Sequence, residues 1–542
     1  MKSRFGRQCF GPNIPENFTK LSLYQLELLQ NFGTGPLIRR QYNPIWSLRM
    51  KTSFLALAAM LTATATTAQD LPQAGNNWFS AAQSELKSRL AITPNTGKAK
   101  NVIILISDGN GVGSNYAARL WMGQQAGGFG DDFVLPHEAF PNLALSKTYN
   151  VNAQTPDSAG TGTAMHSGVK TKAGVIGVDE TLNRGDCSQV QAATVANAAE
   201  IYTNLGKNVG IVSTARLTHA TPASVYAHSA DRNFEDDSKL PEGCATPDIS
   251  SQLLDAMKAG TVDIALGGGR RHFIPKDTKG EEGKSGKRTD GRNLIKEAAD
   301  AGIAYVWNDE TAAAADLTKP VLGLFESSHM KYEHDRTGEP SLAEMTEMAI
   351  TSLAGGENGF FLSIEAGRVD HANHAGNAHR MVTDAAAFAA AVARADALTD
   401  DADTLIIVTA DHEHAIAFNG YCGRGSSITG LCMGVDSNGI EHTGEPNLAA
   451  DGQPYTVIGY LNGSGSVLRE DMNWAGVRPA GLDEETATDP DYIQQALIPS
   501  RSETHSGEDV AIYAKGPWAH LINGTVEQNY IFHVMHHAAT VE

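Results

Sequence analysis

The sequence predicts an α/β fold: a doubly wound, mostly parallel central sheet flanked by helices, with one inserted subdomain. Three observations predict it. Short unbroken runs of Val, Ile, Leu and Phe recur along the chain, helical patterns lie between them, and one late segment breaks the rhythm. Unbroken apolar runs suit strands buried on both faces of a parallel sheet, and strand–helix alternation wraps helices around such a sheet. The 542 residues suffice for one large α/β core with an appendage.

In chain order, the runs at 101–107, 208–214, 262–266, 360–364, 404–409 and 510–514 predict strands. Helical patterns at 159–168, 189–205, 249–259, 341–353 and 380–398 alternate with them. From about 423 to 500 the chain turns to Gly, Asn, Asp, Pro and Ser and reads as the insertion, leaving 69–422 and 501–542 as the main domain.

The first 68 residues read as an address. Met50 and Lys51 precede an apolar run from Phe54 to Leu61, and small residues then lead to Ala68. A positive start, a short apolar stretch and a small-residue cleavage site make a signal peptide over 50–68, too short for the roughly 20 residues that span a bilayer. The expected start is therefore Met50, with 1–49 an upstream mis-annotated segment; the alternative is a true extension carrying a membrane anchor. The expected location is the periplasm or outside the cell.

Hydrophobic residues at 41% and charged residues at 19% exclude wholesale disorder and a polytopic membrane protein. The net charge is −20, and without residues 1–68 the chain keeps 34 basic and 60 acidic residues, a charge of −26. Such a chain is poorly suited to neutralising nucleic-acid phosphates. Four cysteines remain: Cys187, Cys244, Cys422 and Cys432. Three disulfide connectivities are open to them; the favoured one is Cys187–Cys244 and Cys422–Cys432, because each pair brackets a loop-rich stretch. Zinc binding is the competing idea, without C-x-x-C spacing to support it.

In a doubly wound sheet the site lies beyond the carboxyl ends of the strands. There the sequence places Asp108 after the first run, His219 and Thr221 after the second, Glu365, Asp370, His371 and His374 after Phe360–Ile364, and Asp411, His412 and His414 after Thr404–Thr409. His505 lies just before the last strand. A lone strand-end histidine is more often a satisfied polar group than a ligand. Asp-His-x-His together with Glu-x4-Asp-His-x-x-His is harder to dismiss. Carboxylates with imidazoles suit zinc, and oxygen ligands suit magnesium, so at least two metal sites are implied. Thr155–Ala164 reads as a loop entering a small-residue helix, capped by Asp157 or Ser158. A capped helix is the plain reading. A serine there also faces free N–H groups and the positive dipole end, which favour an anion such as phosphate. Arg232 could clamp phosphate oxygens as a bidentate fork.

Taken together, the segments Gln154–Ala164, Thr218–Asn233, Leu324–Glu333, Phe360–His374, Thr409–Thr429 and Glu503–Val510 resemble alkaline phosphatase, in the animal-type branch that some bacteria also carry, over roughly residues 95–542. The resemblance implies a phosphomonoesterase of broad specificity that works through a phosphoserine with two Zn2+ and one Mg2+ per chain, and a homodimer. It implies Ser158 as nucleophile, Asp370, His374 and His505 for the first zinc, and Asp108, Asp411 and His412 for the second. Asp108, Glu365 and Thr221 fall to magnesium, with His219 beside it, as in members with fast turnover and a looser third site. Arg232 falls to the phosphate, with Asp157, His371 and His414 as supports. It implies Tyr421 as a residue reaching the partner's site, 423–500 as a crown-like subdomain, and Phe325, Glu326 and Glu339 as part of a Ca2+ site. Ser107 and Asn110 depart from the usual Gly and Met beside Asp108, and Gly160 and Gly162 predict a loose helix start. Relatives in the wider superfamily that cleave sulfate esters or phosphodiesters fit less well: the sulfatase modification motif is absent, and diesterases commonly use Thr. A phosphate-binding protein without catalysis is opposed by the intact serine and ligand set.

Overall fold

The structure, a computed structural model of the chain, describes residues 71–439, 442–467 and 478–542. The predicted signal peptide and the segment before it lie outside the described residues. Two units are distinct. The first ends at Ser84, and its described residues begin the helix Asn77–Leu90; the second, 85–542, holds everything that follows. No described helix is long and apolar enough to cross a membrane.

Among the described residues the strands are β1 (Asn101–Ser107), β2 (Asn142–Lys147), β3 (Asn208–Arg216), β4 (Ile264–Gly268), β5 (Ala304–Val306), β6 (Val321–Leu324), β7 (Phe360–Ala366), β8 (Thr404–Ala410), β9 (Glu413–His414), β10 (Ile416–Phe418), β11 (Ile458–Gly463), β12 (Ala496–Pro499), β13 (His505–Ser506), β14 (Val510–Lys515) and β15 (Gly524–Glu527). Ten form the central sheet in the order β15-β2-β14-β8-β1-β7-β3-β4-β6-β5. Pairs are parallel except those of β14 with β8 and β2. Along β1, Val102, Ile104 and Ile106 enter one apolar core while Ile103 and Leu105 enter the other. Side chains alternate along a strand, so a strand covered on both faces must be apolar throughout. Each such residue contributes roughly 1.5–3 kcal/mol of burial.

Register then sets the site. Ser107 lies opposite Ala366 and Ala410, so β1, β7 and β8 finish level, and the next residues crowd one rim.

One predicted element differs. Residues 189–205 are not one helix: Val190–Ala193 and Ala198–Asn204 are separated, because Thr194 pairs with Val178 and Asn197 opens the second helix with a capping box to Glu200. The insertion contributes a small sheet beside the central one, and this sheet borrows one strand from outside 423–500. Its β11 and β12 join β10, which precedes residue 423, in a three-stranded sheet within the unit 85–542. Disulfides join Cys187 to Cys244 and Cys422 to Cys432.

Candidate functional site

The rim is built from turns that immediately follow strands. Asp108 directly follows β1, and Gly109 takes a left-handed turn with φ 67°. A Cβ there would lie 2.4 Å from His414 Nε2, so only glycine allows the rim to close. The helix Arg368–His374 begins two residues after β7 and places Asp370 and His374 on the same face, four residues apart. Asp411 and His412 directly follow β8; β9 and β13 pair so that His414 faces His505.

Three groups of acids and imidazoles result, each with ligand atoms within 4.8 Å of one another: Asp370, His374, His414 and His505; Asp108, Asp370 and His412; and Asp108, His219 and Glu365. In the first, His374 and His505 bring Nε2 atoms to 3.1 Å, and Asp370 Oδ1 lies 3.4 and 3.2 Å from them. Their tautomers are fixed. His374 Nδ1 donates to the Glu503 carbonyl at 2.6 Å and His505 Nδ1 to the Pro156 carbonyl at 2.9 Å. A carbonyl only accepts, so each neutral ring turns an Nε2 lone pair toward the other. Two lone pairs at that distance call for a proton or a metal ion between them. In the second group, His412 Nε2 lies 3.4 Å from Asp108 Oδ1 and 3.2 Å from Asp411 Oδ2. Asp411 also accepts from the N–H groups of Gly109 and His412 and from Thr161 Oγ1. In the third, Asp108 Oδ2, Glu365 Oε1, Thr221 Oγ1 and His219 Nδ1 are buried without hydrogen-bond partners. Such orphaned donors of mostly hard oxygen fit a divalent cation.

Ser158 opens the helix Ser158–Ser167, with Asp157 as N-cap accepting from Gly160 N at 3.1 Å. Ser158 Oγ lies 3.3 Å from His412 Nε2 and 3.5 Å from Asp108 Oδ1. Arg232 Nη1 donates to Asp157 Oδ2 and Nη2 to His219 Nε2, each at 3.0 Å, so one guanidinium spans the serine helix and the third group. The helix start is not loose. A Cβ on Gly160 would lie 2.3 Å from Asn150 Nδ2 and one on Gly162 2.6 Å from Ser224 Oγ. Those glycines are points of close packing.

Burial and the neighbouring charges shift the titration of the rim groups. Burial, then Asp411, Asp370 and Glu365, hold the Asp108 carboxyl well above its usual range. Burial pushes Glu365 up to about 7 against a short hydrogen bond from Ser213, and it raises Asp411 too. Asp370 goes the other way: burial opposes its charge, but His374, His414 and His505 hold it well below the carboxylate range. His414, buried between Asp370 at 2.8 Å and Glu503 at 2.6 Å, rises to about 10 because those carboxylates outweigh its desolvation. Burial, then His505, holds His412 well below the usual imidazole range.

Other expected residues lie farther out. His371 packs against His329, with ring centroids 4.0 Å apart, and beside His219 at 5.6 Å. Tyr421 is 96% exposed, with φ 63°. Of the residues expected around calcium, Phe325 is buried, Glu326 meets the Lys331 ammonium at 3.4 Å, and Glu339 accepts from Lys331 N at 2.7 Å. The lysine already supplies a positive charge there. Sequence reasoning assigned no role to Glu503, Ser213 or Pro156. Glu503 sits in a segment that the resemblance covers, a usable signal; a backbone carbonyl such as that of Pro156 leaves none.

Paired acid–imidazole clusters on the carboxyl rim of a parallel sheet define a class, the metal-dependent α/β hydrolases. The family model for alkaline phosphatase matches residues 99–541. An alkaline phosphatase of Gadus morhua is 40% identical over 489 residues, covering 87% of this chain and 97% of its own. The tissue-nonspecific isozyme of Mus musculus is 39% identical, covering 91% and 94%. Among solved structures, the alkaline phosphatase of Thermus thermophilus superposes with a TM-score of 0.59 at 23% identity, covering 83% of this chain and 93% of its own. That of the Antarctic bacterium TAB5 gives 0.55 at 22%, covering 82% and 98%. The chain belongs to the alkaline phosphatase family, metal-dependent enzymes acting on phosphate monoesters.

Proposed function

We propose that the protein is an exported phosphomonoesterase that turns phosphate monoesters into alcohol and inorganic phosphate through phosphorylated Ser158, with best activity above neutral pH. The observation that carries this reading is Ser158 Oγ, 3.3 Å from His412 Nε2 and 3.5 Å from Asp108 Oδ1 at a helix N-terminus. Asp370, His374 and His505 would hold one zinc, Asp108, Asp411 and His412 the other, and Asp108, Glu365 and Thr221 a magnesium. When bound, these ions supply charge neutralisation at the phosphate oxygens and lower the pKa of hydroxyl and water.

The chain's own residues do the rest. Arg232, held by Asp157 and His219, binds two phosphate oxygens as a fork and fixes the phosphorus in line with Ser158. Ser158 Oγ gives up its proton and attacks phosphorus. The ester P–O bond breaks as the serine ester forms, and the alcohol departs with a proton from solvent. A water then attacks the phosphoserine, its P–Oγ bond breaks, and Ser158 regains a proton as phosphate leaves. Two displacements replace one difficult step. The positive dipole end of the helix that Ser158 opens favours the dianion.

Two disulfides support export, since such bonds persist in oxidising compartments. Exposed Tyr421, with Leu143 and Leu145 bare on β2, supports a homodimer; light scattering at the mass of two chains checks it. Ser158→Ala tests the nucleophile. The expected result is loss of turnover and of phosphate incorporation with fold and zinc content kept. Wild-type turnover in that variant refutes the assignment.

A further inference from the structure

A second pair of imidazoles repeats the geometry of the first cluster away from the rim. His334 sits in the single turn Glu333–Asp335, and His379 is the second residue of the helix Ala378–Ala397. His379 Nε2 and His334 Nδ1 are 3.2 Å apart, with ring planes at 87° and centroids at 4.7 Å. The corresponding separation between His374 and His505 is 3.1 Å. Zinc binds imidazole nitrogen at about 2.0–2.1 Å, so two nitrogens on one tetrahedral ion stand roughly 3.3 Å apart.

The pair is held in place by its neighbours. Arg380 grips Asp335 through two bonds of 2.8 and 3.1 Å, tying the helix to the turn that carries His334. Trp121 packs edge-on against the His379 ring at 5.1 Å. Asp335 and Asp489 act electrostatically on His379 in the sense that favours a cation, and Arg380, which acts against it, is paired with Asp335 and Asp491. Two imidazoles with carboxylates nearby select zinc, nickel or copper over magnesium or calcium.

We propose that His334 and His379 form a peripheral binding site for a divalent transition metal, zinc first, separate from the active centre, with water completing its coordination. The proposal does not rest on the role given to Ser158. The same separation would arise from a plain imidazole–imidazole hydrogen bond, and metal content separates the two. Wild type, His334→Gln and His379→Gln are equilibrated with buffered zinc, freed of loose metal by gel filtration, and analysed for zinc per chain and for turnover of a chromogenic phosphate monoester. The expected result is one zinc equivalent fewer in each variant, turnover within twofold of wild type, and a zinc-dependent rise in melting temperature that only wild type shows. Equal zinc in all three proteins overturns the proposal. So does loss of turnover together with metal, which would assign the pair to the active centre. His334→Gln, on an exposed turn, keeps the test decisive should His379→Gln fail to fold.

Discussion

Glu503 accepts from His414 Nδ1 through its carboxylate and from His374 Nδ1 through its carbonyl, both at 2.6 Å, so one residue sets two imidazoles of the first cluster. Glu503→Gln keeps the shape and removes the charge that holds His414 protonated. Partners of this kind are worth about 10–100-fold in metal affinity, and zinc retention against a chelator should fall within that range while the fold persists. Unchanged retention would deny Glu503 that role. Arg232→Ala removes the fork near Ser158; at roughly 1.5–3 kcal/mol for hydrogen bonds to a charged group, kcat/KM for a monoester should drop at least tenfold with zinc content unchanged. At this scale the residues at strand ends, such as Asp108, Glu365 and Asp411, were legible because strand periodicity says where the chain must turn. Ser213, hidden in the β3 pattern, was not: its hydroxyl looks like any other until β7 brings Glu365 beside it.

The helix Ser158–Ser167 shows what an element adds. All its residues but Ser167 are buried, and its first turn closes on Asn150, whose side chain also accepts from Asp157 N at 2.8 Å. Gly160→Ala would force a methyl into that contact. Overpacking of this kind costs about 1–3 kcal/mol, so the melting temperature should fall and Ser158 should shift with it; a variant as stable and active as wild type would show that Asn150 simply moves aside. The strands β1, β7 and β8 were legible as unbroken apolar runs. β2 was not, since Leu143 and Leu145 point to solvent and its buried face shows only Ala144 and Ser146. β5 and β6 were missed for their shortness, at three and four residues. The helix foreseen over 189–205 failed because composition cannot reveal that Thr194 pairs with Val178.

Across the whole molecule, the crowded charges of the rim make stability depend on metal and pH. Glu365 titrates at about 7 in the folded chain against 4.5 for an ordinary glutamate, so the fold holds that proton more tightly. Its contribution is lost as pH rises from 4.5 through 7. His414, raised to about 10 from 6.5, loses its contribution as pH climbs from 6.5 through 10. Asp370, held low, stays ionised across this span and adds no slope. His412, His219 and His371, held low, act in the opposite sense below about pH 6.5 and add no slope above it. Chelated protein should therefore lose melting temperature between about pH 7 and pH 9, while metal-loaded protein, its carboxylates neutralised by cations, should lose much less; parallel curves would contradict the assigned sites. The overall architecture was legible because alternation of strand and helix fixes where a rim forms, whereas the place of the insertion's sheet depends on β10, three residues with no distinctive pattern. The account turns on Ser158 as the group that takes the phosphate, and peptide mapping by mass spectrometry of protein quenched in acid during turnover tests it most directly. The predicted result is phosphate on Ser158 in metal-loaded protein and none after chelation; steady turnover with Ser158 unmodified, or phosphate on another residue, would contradict it.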